Sequence, residues 1–377
     1  MSDSIRLGFV GAGHRARRHI EEAYEIRGRE YLLSDNYLNY PETEYEKYAE
    51  QVPDWVTDIS DMNPEVTALF DPDDEQLETT TSLCEENEND PGTFESLEGF
   101  LEFDGYDAAL ICSPSHTHVD AALPLIERDV DVLCEKPLSN TLEGHDRIIE
   151  AAEESDDLFY PAYNLRSSPF FIRIKELLDE DAIGNLGMLS CREVRGPFKD
   201  SYHYSQNQSG GSLLDKNCHD FDLFNWYAEA DPVRVFAFGG QHLLNRNTDI
   251  VDQATVTVEY ENGVVGTLEL CLYAPWSQRT RKYELRGTDG ILRSPEEETT
   301  VDRYSKDGHH QDSIETDGSH LGGDFVQMKR FLEGIKEDKA PPETLAEAKA
   351  AAAVAIAAEK AIRERQVVEL DSWYDLR

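Results

Sequence analysis

Positive charge is what this 377-residue chain has least of: 12 lysines and 23 arginines face 77 acidic residues, for a net charge of −42. A surface that acidic repels phosphate backbones, so nucleic acid is excluded as a partner. The acids are spread through the whole chain, which excludes a separate acidic interaction arm. Such a balance suits a salt-rich cytoplasm, where concentrated ions screen the self-repulsion; the alternative is an acidic protein of ordinary cytoplasm. Long apolar runs are missing too. No stretch approaches the roughly 18 apolar residues of a membrane-spanning helix, so no membrane partner is expected. Met1-Ser-Asp-Ser passes straight into an apolar strand, leaving no room for a signal peptide. Six cysteines (Cys84, Cys112, Cys134, Cys191, Cys218, Cys271) occur without CxxC pairs. That excludes a disulfide framework and predicts reduced thiols in a cytoplasmic protein.

What is present is a chain long enough for two domains, with 39% hydrophobic and 10% aromatic residues. The pivotal stretch is Asp131-Val-Leu-Cys-Glu135-Lys136-Pro137-Leu138. Val132, Leu133 and Cys134 form the short apolar run of a strand buried in a parallel sheet. Pro137 fixes its own φ and drives Lys136 out of the helical region, so the strand ends with Lys136 at its carboxyl edge. Ligands bind at that edge in open α/β sheets. The plainer alternative is a solvated Glu-Lys pair before a turn.

The rest of the N-terminal half supports a ligand edge. Ile5–Val10 is a strand, followed by Gly11-Ala-Gly13-His14-Arg15-Ala16 and a helical pattern to about Ile26. Glycines between a strand and a helix let backbone N–H groups approach a pyrophosphate. The acid that holds the adenosine ribose is either Asp35, at the usual spacing, or Asp71. Tyr31 to Ser34 make a poor strand within a tyrosine-rich segment, whereas Val66–Phe70 is a good strand ending in Asp71. Residues from about 28 to 63 therefore read as an insertion, and Asp71 as the ribose ligand. The alternative is that Asp71 only caps the next helix. A carboxylate accepting from both ribose hydroxyls repels a 2′-phosphate, which favours NAD over NADP.

Ala108–Cys112 is a further strand, running into Ser113-Pro114 and a helix at 119–128. His116 and His118 have no partners at metal-ligand spacing, so no metal is expected there; His309-His310 are placed in a polar loop. Helix 141–153 and strand Leu158–Tyr163 complete a doubly wound parallel sheet over residues 1–165. From Arg166 to the C-terminus the pattern changes. A helix at 170–179 precedes strands at 189–194, 233–238, 252–260, 263–273 and 281–287, with a hairpin signal at Glu261-Asn-Gly263. Residues 166–377 thus read as an α+β domain with a mostly antiparallel sheet. One face is expected to pack on helices and the other to be open to a second subunit. Helix Leu345–Arg365, with its alanine run, is structural. The stretches at 85–90 and 296–298 read as solvated acidic loops.

The second informative stretch is Ser209-Gly-Gly-Ser-Leu-Leu-Asp215-Lys216-Asn-Cys-His219-Asp-Phe-Asp222. Asp215 and His219 are four apart on a helical pattern and share a face, with Asp222 continuing the row. A carboxylate one turn from an imidazole fixes its tautomer, which a general base for a hydroxyl requires. The alternative is a surface histidine near a helix start.

These stretches together resemble the Gfo/Idh/MocA oxidoreductases (glucose–fructose oxidoreductase, inositol dehydrogenase). The resemblance is carried by GxGxxA after the first strand, Phe-Asp71-Pro, Ser113-Pro114 with His118, Cys-Glu135-Lys136-Pro137, Asn164-x-Arg166, Gly-Gly-x-Leu-x-Asp215-x-x-x-His219-x-x-Asp222, and Gly-Thr-Asp-Gly at 287–290. It spans nearly the whole length apart from the insertion. The resemblance implies a Rossmann domain and an open-sheet domain acting on sugars or polyols with NAD or NADP. It implies that Gly11, Gly13, His14, Arg15, Ala16, Asp71, Ser113, Pro114, His118 and Glu135 line the cofactor. Lys136 would hydrogen-bond the reacting oxygen, His219 would exchange its proton, and Asp215 would orient that histidine. Asn164, Arg166, Lys216 and Asp222 would lie near nicotinamide or substrate. A homodimer or homotetramer is likewise implied. Asn217 stands where Gly is common, Lys216 is an unusual cation, and Ala16 replaces the third glycine. The rival functions are NAD-dependent, redox-neutral glycoside processing and cofactor sensing without chemistry.

Overall fold

The computed structural model describes residues 4–27, 62–198, 201–244, 248–294, 300–313, 320, 322–337, 340–341 and 343–370. Most of the expected insertion, with Asp35, and the acidic stretch 296–298 lie outside the described residues. Among the described residues no helix is long and apolar enough to cross a membrane.

Six strands form the first sheet: β1 (Ile5–Val10), β2 (Pro64–Phe70), β3 (Gly92–Phe94), β4 (Ala108–Ile111), β5 (Asp131–Glu135) and β6 (Phe159–Ala162). Their order is β3-β2-β1-β4-β5-β6 and every pairing is parallel. This is the doubly wound order whose direction reverses between β1 and β4, where a crevice opens at the carboxyl ends. Helices α1 (His14–Arg27), α2 (Asp74–Glu86), α3 (Leu97–Glu102), α4 (His118–Ile126) and α5 (Leu142–Glu153) make the crossovers. The central strands β4 and β5 have apolar cores because both faces are covered: Ala108 to Ile111 are fully buried, as are Val132 to Cys134.

The second sheet follows α6 (Pro169–Asp179). Its order is β14-β13-β12-β11-β7-β10-β9-β8-β15. In sequence the strands are β7 (Leu186–Val194), β8 (Pro232–Gly240), β9 (Gln253–Tyr260), β10 (Val265–Cys271), β11 (Thr280–Gly287), β12 (Gly290–Arg293), β13 (Thr300–Ser305), β14 (Gly308–Ser313) and β15 (Val368–Glu369). All its pairings are antiparallel except β7 with β10. The hairpin expected at Asn262-Gly263 joins β9 to β10, with Gly263 at φ +84° and Asn262 Oδ1 accepting from the Val264 N–H. His309 and His310, expected in a loop, lie in β14, where His309 stacks on Tyr304 and reaches Asp302 Oδ1 at 3.0 Å. Cross-strand pairs hold this polar edge hairpin together without an apolar alternation that sequence periodicity would register.

Three helices complete the chain: α7 (Ser212–Ala228), α8 (Gly323–Glu337) and α9 (Leu345–Glu364). The alanine run buries α9 against α7. The N-terminus of α7 is closed by α9: Glu359 Oε1 accepts from the Leu213 N–H at 3.3 Å, giving that N–H of the first turn a partner. Gly211, at φ +99°, leaves that carboxylate room; a Cβ there would fall 2.1 Å from Glu359 Oε1. Helix α8 does not stay with the second sheet. Phe325, Met328, Phe331 and Leu332 join Leu7, Phe9, Ala16 and Ile20 in one core, so the C-terminal half lends a helix to the first domain.

Candidate active site

The turn after β1 is shaped by its glycines. Gly11 has φ +93°, and a Cβ there would lie 2.6 Å from the Ser113 backbone nitrogen, so only glycine lets the β1 and β4 exits approach. Around Gly13 nothing lies within 4 Å of where a Cβ would be, which leaves an open cradle at the start of α1. Ala16 is fully buried beneath it, while His14 is exposed. Asp71 follows β2, its Oδ2 accepting from the Ala12 N–H at 2.7 Å and its Oδ1 from the Asp73 N–H at 3.0 Å. A glycine cradle at a helix N-terminus with a carboxylate beside it fits a dinucleotide's pyrophosphate and ribose. Gly11→Ala is expected to weaken NAD binding and lower the thermal midpoint together. Calorimetric titration and a thermal scan that both match the parent protein would contradict this account of the turn.

Two residues expected to line the cofactor also have protein partners. Arg15 forms an ion pair with Glu135, and its other nitrogen meets Asp324 Oδ1 at 2.8 Å. Glu135 also takes His19 Nε2 at 2.8 Å, and Asp324 takes Asn164 Nδ2 at 2.6 Å and His320 Nδ1 at 2.9 Å. Burial alone would raise the Glu135 pKa, but Arg15 and His19 hold it well below the usual carboxylate range. Arg15, Glu135 and Asn164 therefore brace α1 against β5 and α8. His118 is partnered in the same way. Its ring nitrogens face the carbonyl oxygens of Pro137 at 3.0 Å and Ser113 at 2.7 Å, and it is 1% exposed. It is a buried strut between the β4 and β5 exits, with Ser113 and Pro114 part-buried beside it.

The strut delivers Lys136 to α7. Lys136 Nζ donates to the Asp215 main-chain oxygen at 2.7 Å, in the first turn of that helix. One turn on, His219 is buried, and neither ring nitrogen has a hydrogen-bond partner among the described residues; Nδ1 is fully enclosed. Tyr163 packs edge-on against the ring at 5.9 Å. Burial, then repulsion from Lys136, Arg281 and Lys216, holds the His219 pKa well below the ordinary imidazole value, so the ring is neutral. A neutral imidazole without a partner beside an ammonium is equipped to take a hydroxyl proton.

The expected Asp215–His219 pairing is corrected by the structure. Asp215 Oδ2 instead takes His203 Nδ1 at 2.6 Å. His203 comes from the turn Ser201–Tyr204, and no local pattern in the sequence marked it. Asp222, expected beside substrate, is 1% exposed and joined to Arg166 by two bonds of 2.8 Å. Arg166 also reaches Glu347 Oε1 at 2.8 Å and lies over Trp226. These two residues tie the turn after β6 to α7 and α9. Asn217 is fully buried and donates to Asp220 Oδ2 at 2.8 Å. Lys216 sits part-buried near Glu193.

Comparison with known proteins agrees with this architecture. One family model, described as oxidoreductase family, NAD-binding Rossmann fold, matches residues 5–163; another, oxidoreductase family, C-terminal alpha/beta domain, matches residues 175–370. The chain is 28% identical over 284 residues to myo-inositol 2-dehydrogenase of Thermotoga maritima, covering 72% of this chain and 82% of that protein. It is 26% identical over 279 residues to scyllo-inositol 2-dehydrogenase (NAD(+)) of Bacillus subtilis, covering 72% and 80%. Among solved structures, levoglucosan dehydrogenase in complex with NADH and levoglucosan shares the fold with a TM-score of 0.81 at 15% identity, over 98% of this chain and 100% of that one.

Proposed function

The chain belongs to the Gfo/Idh/MocA family of oxidoreductases, and on that premise we propose that it is a nicotinamide-dependent dehydrogenase acting on a secondary alcohol of a sugar or cyclitol. The observation that carries this is the meeting of Lys136 and the partnerless His219 ring at the start of α7, beside the carboxyl edge of the parallel sheet. Gly11, Gly13 and Asp71 would hold the dinucleotide, which when bound accepts or returns the hydride. The His219 ring takes the hydroxyl proton. Lys136 stabilises the charge left on the oxygen, and its ammonium is held in place beforehand by the Asp215 carbonyl. Asp215, with His203, fixes the first turn of the helix that carries His219 and to which Lys136 is bonded.

NAD is favoured over NADP. Asp71 is followed by Asp73 and Asp74, and the nearby guanidinium groups are engaged: Arg15 with Glu135 and Asp324, Arg17 with the Ala12 carbonyl, Gln76 and Thr80. A 2′-phosphate would meet carboxylates there. Asp71→Ser is expected to lower kcat/KM with NAD about tenfold or more while sparing NADP, measured with one substrate and both cofactors. An unchanged cofactor ratio would move the ribose site elsewhere.

The acidic surface supports a salt-rich cytoplasm as the working environment. Exposed Met188 and Phe238 on the second sheet support a homodimer or homotetramer.

A further inference from the structure

Arg195, Lys216 and Arg281 gather around Asp215 and His219; Lys216 and Arg281 help to keep that ring neutral, and Arg195 has no part in the chemistry above. Arg281 is fully engaged, donating to Asp220 Oδ1 at 3.0 and 2.7 Å and pairing with Glu193 Oε2 at 3.1 Å. Lys216 Nζ stands 3.8 Å from Glu193 Oε1, too far for a hydrogen bond. Burial pushes its pKa down to about 8. Arg195 differs from both. Its Nε is buried with no hydrogen-bond partner, and no carboxylate pairs with its guanidinium among the described residues. Two rings hold it instead: Phe198 at 4.9 Å and Trp276 at 5.3 Å. Gly196 makes room for that indole, since a Cβ there would fall 2.5 Å from Trp276 Nε1.

This guanidinium is joined to Lys136 by a chain of contacts. Phe198 stacks on His203 at 4.6 Å, His203 binds Asp215, and the Asp215 carbonyl binds Lys136. Around the start of α7, Lys136, Arg195, Lys216, Arg279 and Arg281 face Asp215, Glu193 and Asp220, so cations outnumber carboxylates. Arg195 is half-buried with Glu193 and Asp215 acting on it only from a distance, and partly desolvating a cation that no carboxylate pairs with is unfavourable. A ligand that brings its own anion removes the imbalance, and a guanidinium suits a carboxylate best. Long-range repulsion from the acidic surface is short-ranged in concentrated salt, about 3 Å at 1 M, so local contacts decide.

We propose that the substrate is a sugar acid, its carboxylate held by Arg195 and Lys216 while the carbinol lies between Lys136 and His219. This rests on the dehydrogenase function proposed above. The carbinol C–H bond breaks with its electron pair, the hydride passing to NAD. The O–H proton passes to His219, and the products are a keto acid, NADH and a proton; the carboxylate is unchanged.

The test uses the full chain loaded with NADH and matched probes: D-gluconate against sorbitol, D-glucuronate against D-glucose, and D-galacturonate against D-galactose. Affinity is read by calorimetry and by tryptophan fluorescence at fixed ionic strength. At least one acid is expected to bind about tenfold or more tighter than its neutral partner, and that ratio should fall toward one in both Arg195→Gln and Lys216→Gln. Acids binding no better than their neutral partners, or a ratio that survives in both variants, overturns the inference. Turnover separates it from the function on which it rests. An acid that binds with the expected ratio yet yields no NADH from NAD sinks the dehydrogenase function and leaves the anion site standing. NADH formed only from neutral probes does the reverse.

Discussion

Lys136→Ala is expected to lower kcat by about a hundredfold or more while the NAD dissociation constant stays within a few-fold of the parent value. The ammonium lies at the end of β5 and bonds the Asp215 carbonyl, away from the Gly11–Gly13 turn that would hold the dinucleotide. Its loss therefore removes charge stabilisation without disturbing the cradle. His219→Ala should cost a similar factor, since it removes the ring that takes the hydroxyl proton. The pH profile follows from the sign of the His219 shift. Its pKa lies well below the ordinary value, so protonation disables the base only in acid far below that value. Oxidation should consequently show no loss of kcat/KM as pH falls through about 6.5, where an unperturbed histidine titrates. Initial rates of NADH formation and calorimetry with NAD measure both quantities. Undiminished turnover in both variants with a good substrate would remove Lys136 and His219 from the chemistry.

Arg166→Leu is expected to destabilise the fold by about 3–5 kcal/mol, because it strands the Asp222 carboxylate in a site that is 1% exposed. The two bonds of 2.8 Å between them, together with Glu347, join the turn after β6 to α7 and α9. Arg166→Leu combined with Asp222→Leu should recover much of the loss, since replacing both members leaves no unpaired charge. Denaturant unfolding in concentrated KCl reads the difference directly. The alternative role, direct contact with substrate, makes a different forecast: the single variant would keep its unfolding midpoint and show a raised KM. A stable Arg166→Leu protein would therefore restore that role.

The contrast between these two sites shows where residue spacing stops being informative. Lys136 was legible because proline stops a strand in a way any environment must respect, and strand ends of a parallel sheet share one edge. Gly11 was legible for a related reason, as its backbone conformation excludes other residues. Asp215 and His219 do lie one turn apart on α7, as the four-residue interval required. Their pairing failed because helical spacing fixes only the face a side chain shares, while its partner depends on what packs against that face. His203 arrives there from a separate turn and takes the carboxylate. The partners of Arg15, Glu135, Asn164 and His118 were hidden for the same reason. Each sits in a ligand-edge motif, yet each finds its bonds in an element distant in the chain. Helix α8 was absent from the expected elements although Phe325, Met328 and Leu332 recur at a helical period, and nothing local says that it packs against α1.

Taken alone, the sequence determined the two sheets' character, the glycine turn with its carboxylate, and the ammonium and imidazole that the proposed chemistry requires. These follow from backbone limits and from hydrophobic periodicity, both of which act over a few residues. Only the tertiary structure decided which charges neutralise one another, leaving Arg195 between two rings without an acid. Ion pairing is a contact property, set by a few ångströms in space between residues up to 309 positions apart in the chain, as for Arg15 and Asp324.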